Sequence, residues 1–191
     1  MNTYNQYISA FDTLIKNNVD LYEDIIKAAN IIKDADRVFL IGNGGSQTVC
    51  SHLAEDLSKV AGIPAYSLEG AARLTCLAND YGYENIYTEW LKQCDFPHIN
   101  LRGKTTDVLI AISSSGNSPN IINATKLCND LYKGTEFLPR IITLSAFSKD
   151  NKLNQMGDIN IHLPIESYGI AESYHSVILH IILDMIVNKE I

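Results

Sequence analysis

The residues Asp107-Val108-Leu109-Ile110-Ala111-Ile112 run directly into Ser113-Ser114-Ser115-Gly116-Asn117-Ser118-Pro119. After its leading aspartate the first stretch is wholly apolar and rich in β-branched side chains, yet too short for a buried helix. It reads as a strand covered on both faces. The second stretch carries helix-start chemistry. Ser118 is a natural N-cap, and Pro119 fits the first helical turn, where its missing N–H costs nothing. The spacing predicts a helix from Ser118 to Tyr132. A buried strand that hands over to a helix through a polar loop is the repeating unit of a parallel α/β sheet.

The same punctuation recurs on either side. Upstream, Arg37 to Ile41 is a short apolar run that ends in Gly42-Asn43-Gly44-Gly45-Ser46, with helical periodicity from Thr48 to Val60. Ile63 to Leu68 reads as another strand, and downstream Arg140 to Ser145 and Ile159 to Leu163 supply two more. A last apolar helix is predicted from Ala171 to Asn188. Ahead of the first strand, Tyr4, Tyr7, Ile8, Phe11, Leu14 and Ile15 keep helical spacing, as do Leu21, Tyr22, Ile25, Ile26, Ala29 and Ile32. The first of these helices has no crossover to make, so it is expected to pack on another chain, with docking on its own sheet as the alternative. The fold expected is α/β: a three-layer sandwich of flavodoxin-like type with a five-stranded parallel sheet. Amphipathic helices over residues 3–35 precede the sheet, and residues 1–191 form a single domain.

Fifteen basic against 22 acidic residues leave a net charge of −7, which suits neither nucleic acid nor an anionic membrane. With 46% hydrophobic residues in 191, the chain can bury a core. No signal peptide and no membrane-spanning run are expected. Cys50, Cys76, Cys94 and Cys128 lack CxxC spacing, which points to reduced thiols and a cytoplasmic protein. An anionic ligand must then be held by local devices rather than by a broad positive field.

Two loops are such devices. Ser113, Ser114, Ser115 and Ser118 bring four hydroxyls to the N-terminus of a helix, where backbone N–H groups and the helix dipole favour an anion. Capping needs only one serine, so the excess favours a ligand. Gly42 to Ser46 repeats the logic, with Gly44 among the glycines that let backbone approach a ligand closely. It lacks the lysine of a Walker loop and the third glycine of a dinucleotide fingerprint, so no nucleotide cofactor is expected. Ligands of parallel sheets bind beyond the carboxyl ends of the strands, where both loops lie.

Together with the segments downstream of them, the two loops resemble the SIS (sugar isomerase) domain, and within it the bacterial phosphoheptose isomerases. The likeness rests on GNGGS at 42–46, the His52 helix, Ala78-Asn79-Asp80, SSSGNS at 113–118 and His175-x4-His180. The resemblance implies that Ser46, Ser113, Ser115 and Ser118 contact a phosphate, and that Asn43 and Asp80 contact sugar hydroxyls. It further implies a cytoplasmic homotetramer with sites between subunits, and zinc or another divalent ion in the site of some members.

A polar constellation completes the picture. His52 and Asp56, four residues apart, share one helix face, and the last helix carries Glu172 and His180 with His175 between them. A carboxylate and a histidine suit the base and acid of an aldose–ketose isomerase, with Asp56 or Glu172 as base and His180 as acid. Alternatively, His52, Asp56, Glu172 and His180 make a site for zinc or another divalent ion. For His175 a ligand role and a core role stay open, whereas His98 and His162 are expected to be structural. The phosphoheptose isomerases resembled here have glutamate where this chain has Asp56 and glutamine where it has Glu172. Their aspartate before the last helix has no counterpart, since Gly169 and Ile170 lie there. Eight helical residues rise about 12 Å, so Glu172 and His180 reach one ion only with difficulty. Either two copies of the chain share a site, or only one of the pair is a ligand. The function expected is isomerisation of a phosphorylated sugar, sedoheptulose 7-phosphate or a close relative, through a cis-enediol. A catalytically silent phosphosugar-binding module is the alternative.

Overall fold

The computed structural model describes residues 3–5, 7–9, 19–99, 105–131 and 139–191. Residues 3–5 and 7–9 are helical, while Phe11, Leu14, Ile15 and Tyr132 of the predicted helices lie outside the described residues. The chain then forms α1 (Val19–Lys33), β1 (Val38–Ile41), α2 (Gly45–Asp56) with a π-helical turn (Leu57–Ala61), and β2 (Ala65–Ser67). Next come α3 (Ala71–Tyr81), a 3-10 turn (Tyr83–Asn85) and α4 (Ile86–Gln93), followed by β3 (Val108–Ser113) and α5 (Pro119–Leu131). The remainder is β4 (Arg140–Ala146), a 3-10 turn (Leu153–Gln155), β5 (Ile159–Leu163) and α6 (Tyr168–Val187).

All four strand pairings are parallel, and the five strands lie in the order β2-β1-β3-β4-β5, as expected for an α/β sandwich. β3 sits at the centre with every residue buried. Its side chains alternate between faces with the strand period of two. Val108, Ile110 and Ile112 join Val38 and Leu40 in a layer covered by α1, α2 and α6. Leu109 and Ala111 join Phe39 and Ile41 in the opposite layer, beneath α4 and α5. The helices that follow the adjacent strands β1 and β3 therefore leave to opposite faces. That divergence opens a crevice beyond the carboxyl ends of those two strands, where ligands of such sheets sit.

Tyr7 packs against the α1–α6 layer of its own chain, and a Cβ at Gly169 would meet its hydroxyl at 2.5 Å. At this residue the leading segment docks at home, the alternative to packing on another chain. Two helices, α3 and α4, lie in the stretch between β2 and β3 that the periodicity left unassigned. α3 fully buries only Leu77, with Leu74 and Ala78 half-buried beside it, a stripe that sequence patterning passes over, while α4 is only eight residues long. Contrary to expectation, one helix among the described residues is long and apolar enough to cross a membrane. α6 has a mean hydropathy of 1.4, but half of that window is buried and nine α6 residues are buried, mostly in the core.

Candidate functional site

The chain leaves β3 through Ser113 and turns at Gly116, whose φ of +62° is a left-handed conformation that favours glycine. A Cβ there would overlap Asn151 Oδ1. Asn151 is buried, and its Nδ2 donates to the Ser148 carbonyl at 2.7 Å and to Ser145 Oγ at 3.1 Å. The Leu153 N–H donates to the Gly116 carbonyl at 3.0 Å, so the segment after β4 braces the serine loop. Ser118 precedes the first residue of α5 as expected, but its hydroxyl lies 3.1 Å from Ser113 Oγ.

On the neighbouring strand, Gly42 to Ser46 turns into the N-terminus of α2. Ser46, Asn43, the four serines of the β3 loop, Tyr168 and Glu172 line a small cavity of about 90 Å³. Its wall holds a buried hydroxyl with no partner, Ser114 Oγ. An unpaired buried hydroxyl is costly, so this atom marks the cavity as built for a polar guest. Glu172 enters the cavity over Gly45, where a Cβ would overlap its carboxylate. Gly44 takes the N-cap position of α2 and does not line the cavity. Asp80 also stands outside it, accepting from Asn79 Nδ2 at 2.9 Å and lying 3.6 Å from Cys76 Sγ.

A second group forms further along α2 and α6. His52 Nε2 is 3.2 Å from Asp56 Oδ2, His180 Nε2 is 3.9 Å from the same oxygen, and the two imidazole centroids are 5.1 Å apart. One ligand atom from each of the three lies within 4.8 Å of the others. His180 Nδ1–H donates to the Ser176 carbonyl at 2.7 Å, which leaves Nε2 to carry the lone pair in the neutral ring. That nitrogen and a carboxylate oxygen, both electron-rich, then face each other across a gap that a proton or a cation would fill. Two nitrogens and an oxygen are donors that zinc and similar divalent ions accept. Glu172 is not in this group.

The other histidines divide as their surroundings dictate. His175 is fully buried, its Nε2 reaches the Ser145 carbonyl at 3.4 Å, and its Nδ1 has no partner. Burial, opposed by that carbonyl and reinforced by His162, pushes its pKa down to about 4, so it is a neutral core residue. His162 bonds the Phe147 carbonyl at 3.2 Å, as expected for a structural residue, whereas His98, expected in a core or interface, is exposed and pairs with the exposed Asp95 at 2.7 Å. A wider cavity of about 500 Å³ lies along β5, but Asp20 and Asp24 in its wall would repel a phosphate. Sequence patterning passes over Tyr168, which lines the small cavity, and over Asn151 and Asn120, which brace its loops. Nothing in the local pattern marks Asn120, because its partner Asn43 is distant in sequence, and Asn151 bonds within its own loop while the glycine it packs against, Gly116, lies far upstream.

The model of the SIS domain matches residues 4–132, more than half of the chain. The chain belongs to the SIS domain family. This SIS-domain protein is 33% identical over 190 residues to the phosphoheptose isomerase of Photorhabdus laumondii, covering 93% of this chain and 90% of that one. It is 31% identical over 164 residues to the phosphoheptose isomerase of Fusobacterium nucleatum, covering 83% and 76%. Among solved structures, the phosphoheptose isomerase of Neisseria gonorrhoeae superposes with a TM-score of 0.76 at 24% identity, over 96% of this chain and 94% of that one. That likeness is one of fold.

Proposed function

We propose that this SIS-domain chain is an aldose–ketose isomerase that converts sedoheptulose 7-phosphate into a D-glycero-heptose 7-phosphate through a cis-enediol. The observation that carries it is the pairing of two groups on the same two helices. At the N-terminal end of α2 and α6 lies a cavity with serine hydroxyls, and further along both the His52–Asp56–His180 triplet. Relatives that carry the name phosphoheptose isomerase support the choice of substrate. A silent binding module has no use for the triplet.

In this reading Ser46, Ser113, Ser114, Ser115 and Ser118 hold the phosphate, and Asn43 holds a sugar oxygen. Asp80 would serve the sugar only from outside the cavity. The reacting C1–C2 end of a 7-phosphate lies at the opposite end of the carbon chain from the phosphate. Glu172, which lines the phosphate cavity, is therefore at the wrong end to be the base, and that role falls to Asp56. Asp56 takes the proton from C1, leaving the enediol, and returns it to C2. A proton held on His180 Nε2 passes to O2, and the freed lone pair then takes one from O1, so protons balance over the cycle.

The triplet also has a second use. His52, which an acid–base pair does not require, makes it a fitting ligand set for zinc or another divalent ion, with His52, Asp56 and His180 as the holders. Such an ion supplies Lewis-acid polarisation of the sugar carbonyl. The two uses part at the chelator: EDTA leaves the acid–base site untouched and abolishes the metal-assisted one.

Size favours a site shared between copies. Glu172 and His180 are two turns apart, about 12 Å along the axis. An extended chain advances about 1.2 Å per bond, so the seven bonds from C2 to phosphorus span roughly 8 Å. Val177 and Ile181 on α6, and Val60 in the turn that follows α2, are exposed near the triplet's helices, an apolar surface suited to another copy. A cytoplasmic homotetramer in which one copy gives the phosphate cavity and another the triplet satisfies both.

The decisive experiment is NMR of sedoheptulose 7-phosphate incubated with the protein in D₂O, with and without zinc. Deuterium at C2 of the aldose product is the expected result. Clear binding of the sugar phosphate without any exchange would leave only the binding-module reading.

A further inference from the structure

Behind the small cavity, polar groups that the reaction above does not use hold one that it does. Asn43, in the turn after β1, and Asn120, in the first turn of α5, form a reciprocal carboxamide pair. Asn43 Nδ2 donates to Asn120 Oδ1 at 2.9 Å, and Asn120 Nδ2 donates to Asn43 Oδ1 at 2.8 Å. Asn43 lines the cavity, whereas Asn120 is 1% exposed and does not. The Ile121 N–H donates to Asn120 Oδ1 at 3.0 Å. That contact decides which end of the Asn120 amide is oxygen, because the reverse orientation would set donor against donor. Asn120 in turn decides the orientation of Asn43. From the 3-10 turn before α4, the Tyr83 hydroxyl donates to Asn43 Oδ1 at 3.1 Å. A carboxamide oxygen has two lone pairs, and both are now taken; its nitrogen has two hydrogens, and one is taken.

We infer that Asn120 and Tyr83 are positioning residues that restrict Asn43 to one task, donating its remaining Nδ2–H to an oxygen of the bound sugar phosphate. The inference rests on the sugar-phosphate reading above. Asn43 cannot accept a hydrogen bond from a sugar hydroxyl while the pair holds, so it selects a ligand oxygen that presents a lone pair. The pair also ties the β1 turn to the start of α5, and so sets the spacing of the two loops that meet at the cavity.

A double-mutant cycle on kcat/KM for sedoheptulose 7-phosphate tests it, using Asn43→Ala, Asn120→Ala and the double variant of the full-length protein. Asn120→Ala should lower kcat/KM roughly 10- to 100-fold, as misplacement of a substrate-holding group does. On the Asn43→Ala background the same change should cost less than about twofold, because the residue it positions is gone. A merely structural asparagine would multiply its loss onto that of Asn43→Ala, and that result overturns the inference, as does an Asn120→Ala enzyme with wild-type kcat/KM. Should Asn120→Ala fail to fold, Tyr83→Phe, at an exposed tyrosine, runs the same cycle with an expected loss of about three- to tenfold. If the wild-type protein binds the sugar phosphate without turning it over, the isomerase reading fails alone. The cycle is then read in Kd by calorimetry with sedoheptulose 7-phosphate, and the same non-additivity is expected. A wild-type protein that neither binds nor turns over this sugar phosphate overturns both.

Discussion

His175 lies on α6 between Glu172 and His180, yet its ring is fully buried and its pKa is pushed down to about 4, chiefly by burial. Above pH 6.5 the ring is neutral in both the folded and the unfolded chain, and titration costs nothing. As pH falls from 6.5 to 4, the unfolded chain takes up a proton that the folded chain refuses, which removes about 3 kcal/mol of stability. Urea unfolding at pH 7 and pH 4.5 should therefore show a smaller acid loss for His175→Leu than for wild type. An equal loss would mean that the ring is not held neutral. The division of labour between His175 and His180 was legible in principle. Five helical residues turn about 140° beyond a full circle, so if one imidazole faces a polar site the other faces elsewhere. Burial decided which. Glu172 was less legible, because a helix period gives direction but not which of two sites a long side chain enters.

The serine loop shows what a segment can and cannot announce about itself. Its strand, turn glycine and helix start are all local, and the structure places each within one residue of the pattern, with β3 ending at Ser113 and α5 opening at Pro119. Its brace is not local. Asn151, 35 residues on from Gly116, occupies the space a Cβ would need. Gly116→Ala combines a left-handed φ with that overlap, and should cost about 2 kcal/mol while disordering the loop. Thermal unfolding gives the first figure. Titration with sedoheptulose 7-phosphate should show binding weakened at least about tenfold, which is about 1.4 kcal/mol. α4 carries Ile86, Tyr87, Trp90 and Leu91 on one face, a helical stripe, but at eight residues it falls below the window in which period is dependable.

In the proposed reading the molecule separates its anchoring from its chemistry. Away from the ligand edge, Arg37 Nη2 lies 2.5 Å from Asp107 Oδ2 and its Nε donates to Oδ1 at 3.1 Å, while the His98 N–H donates to the same carboxylate at 2.7 Å. Asp107 is 1% exposed and holds the Arg37 guanidinium firmly charged. Asp107→Asn should cost about 3 kcal/mol in chemical denaturation, as breaking a buried pair does, and leave kcat/KM unchanged. A fall in kcat/KM at full folding would show that the sheet transmits strain to the site. At the level of the assembly, His180→Ala and Ser113→Ala chains, each inactive alone, should regain turnover when co-assembled, since some sites would then have an intact cavity from one copy and an intact triplet from another. No recovery means that each site lies within one chain. The approach of Glu172 to Gly45 has one more consequence, for the order in which substitutions can accumulate. A methyl group at position 45 would displace the end of a flexible side chain rather than backbone, so Gly45→Ala should fold well yet move the carboxylate out of place. It should alter KM in the wild-type protein and be silent beside Glu172→Ala. A lineage that shortens residue 172 first can then vary residue 45 freely, while one that starts at 45 passes through an impaired intermediate.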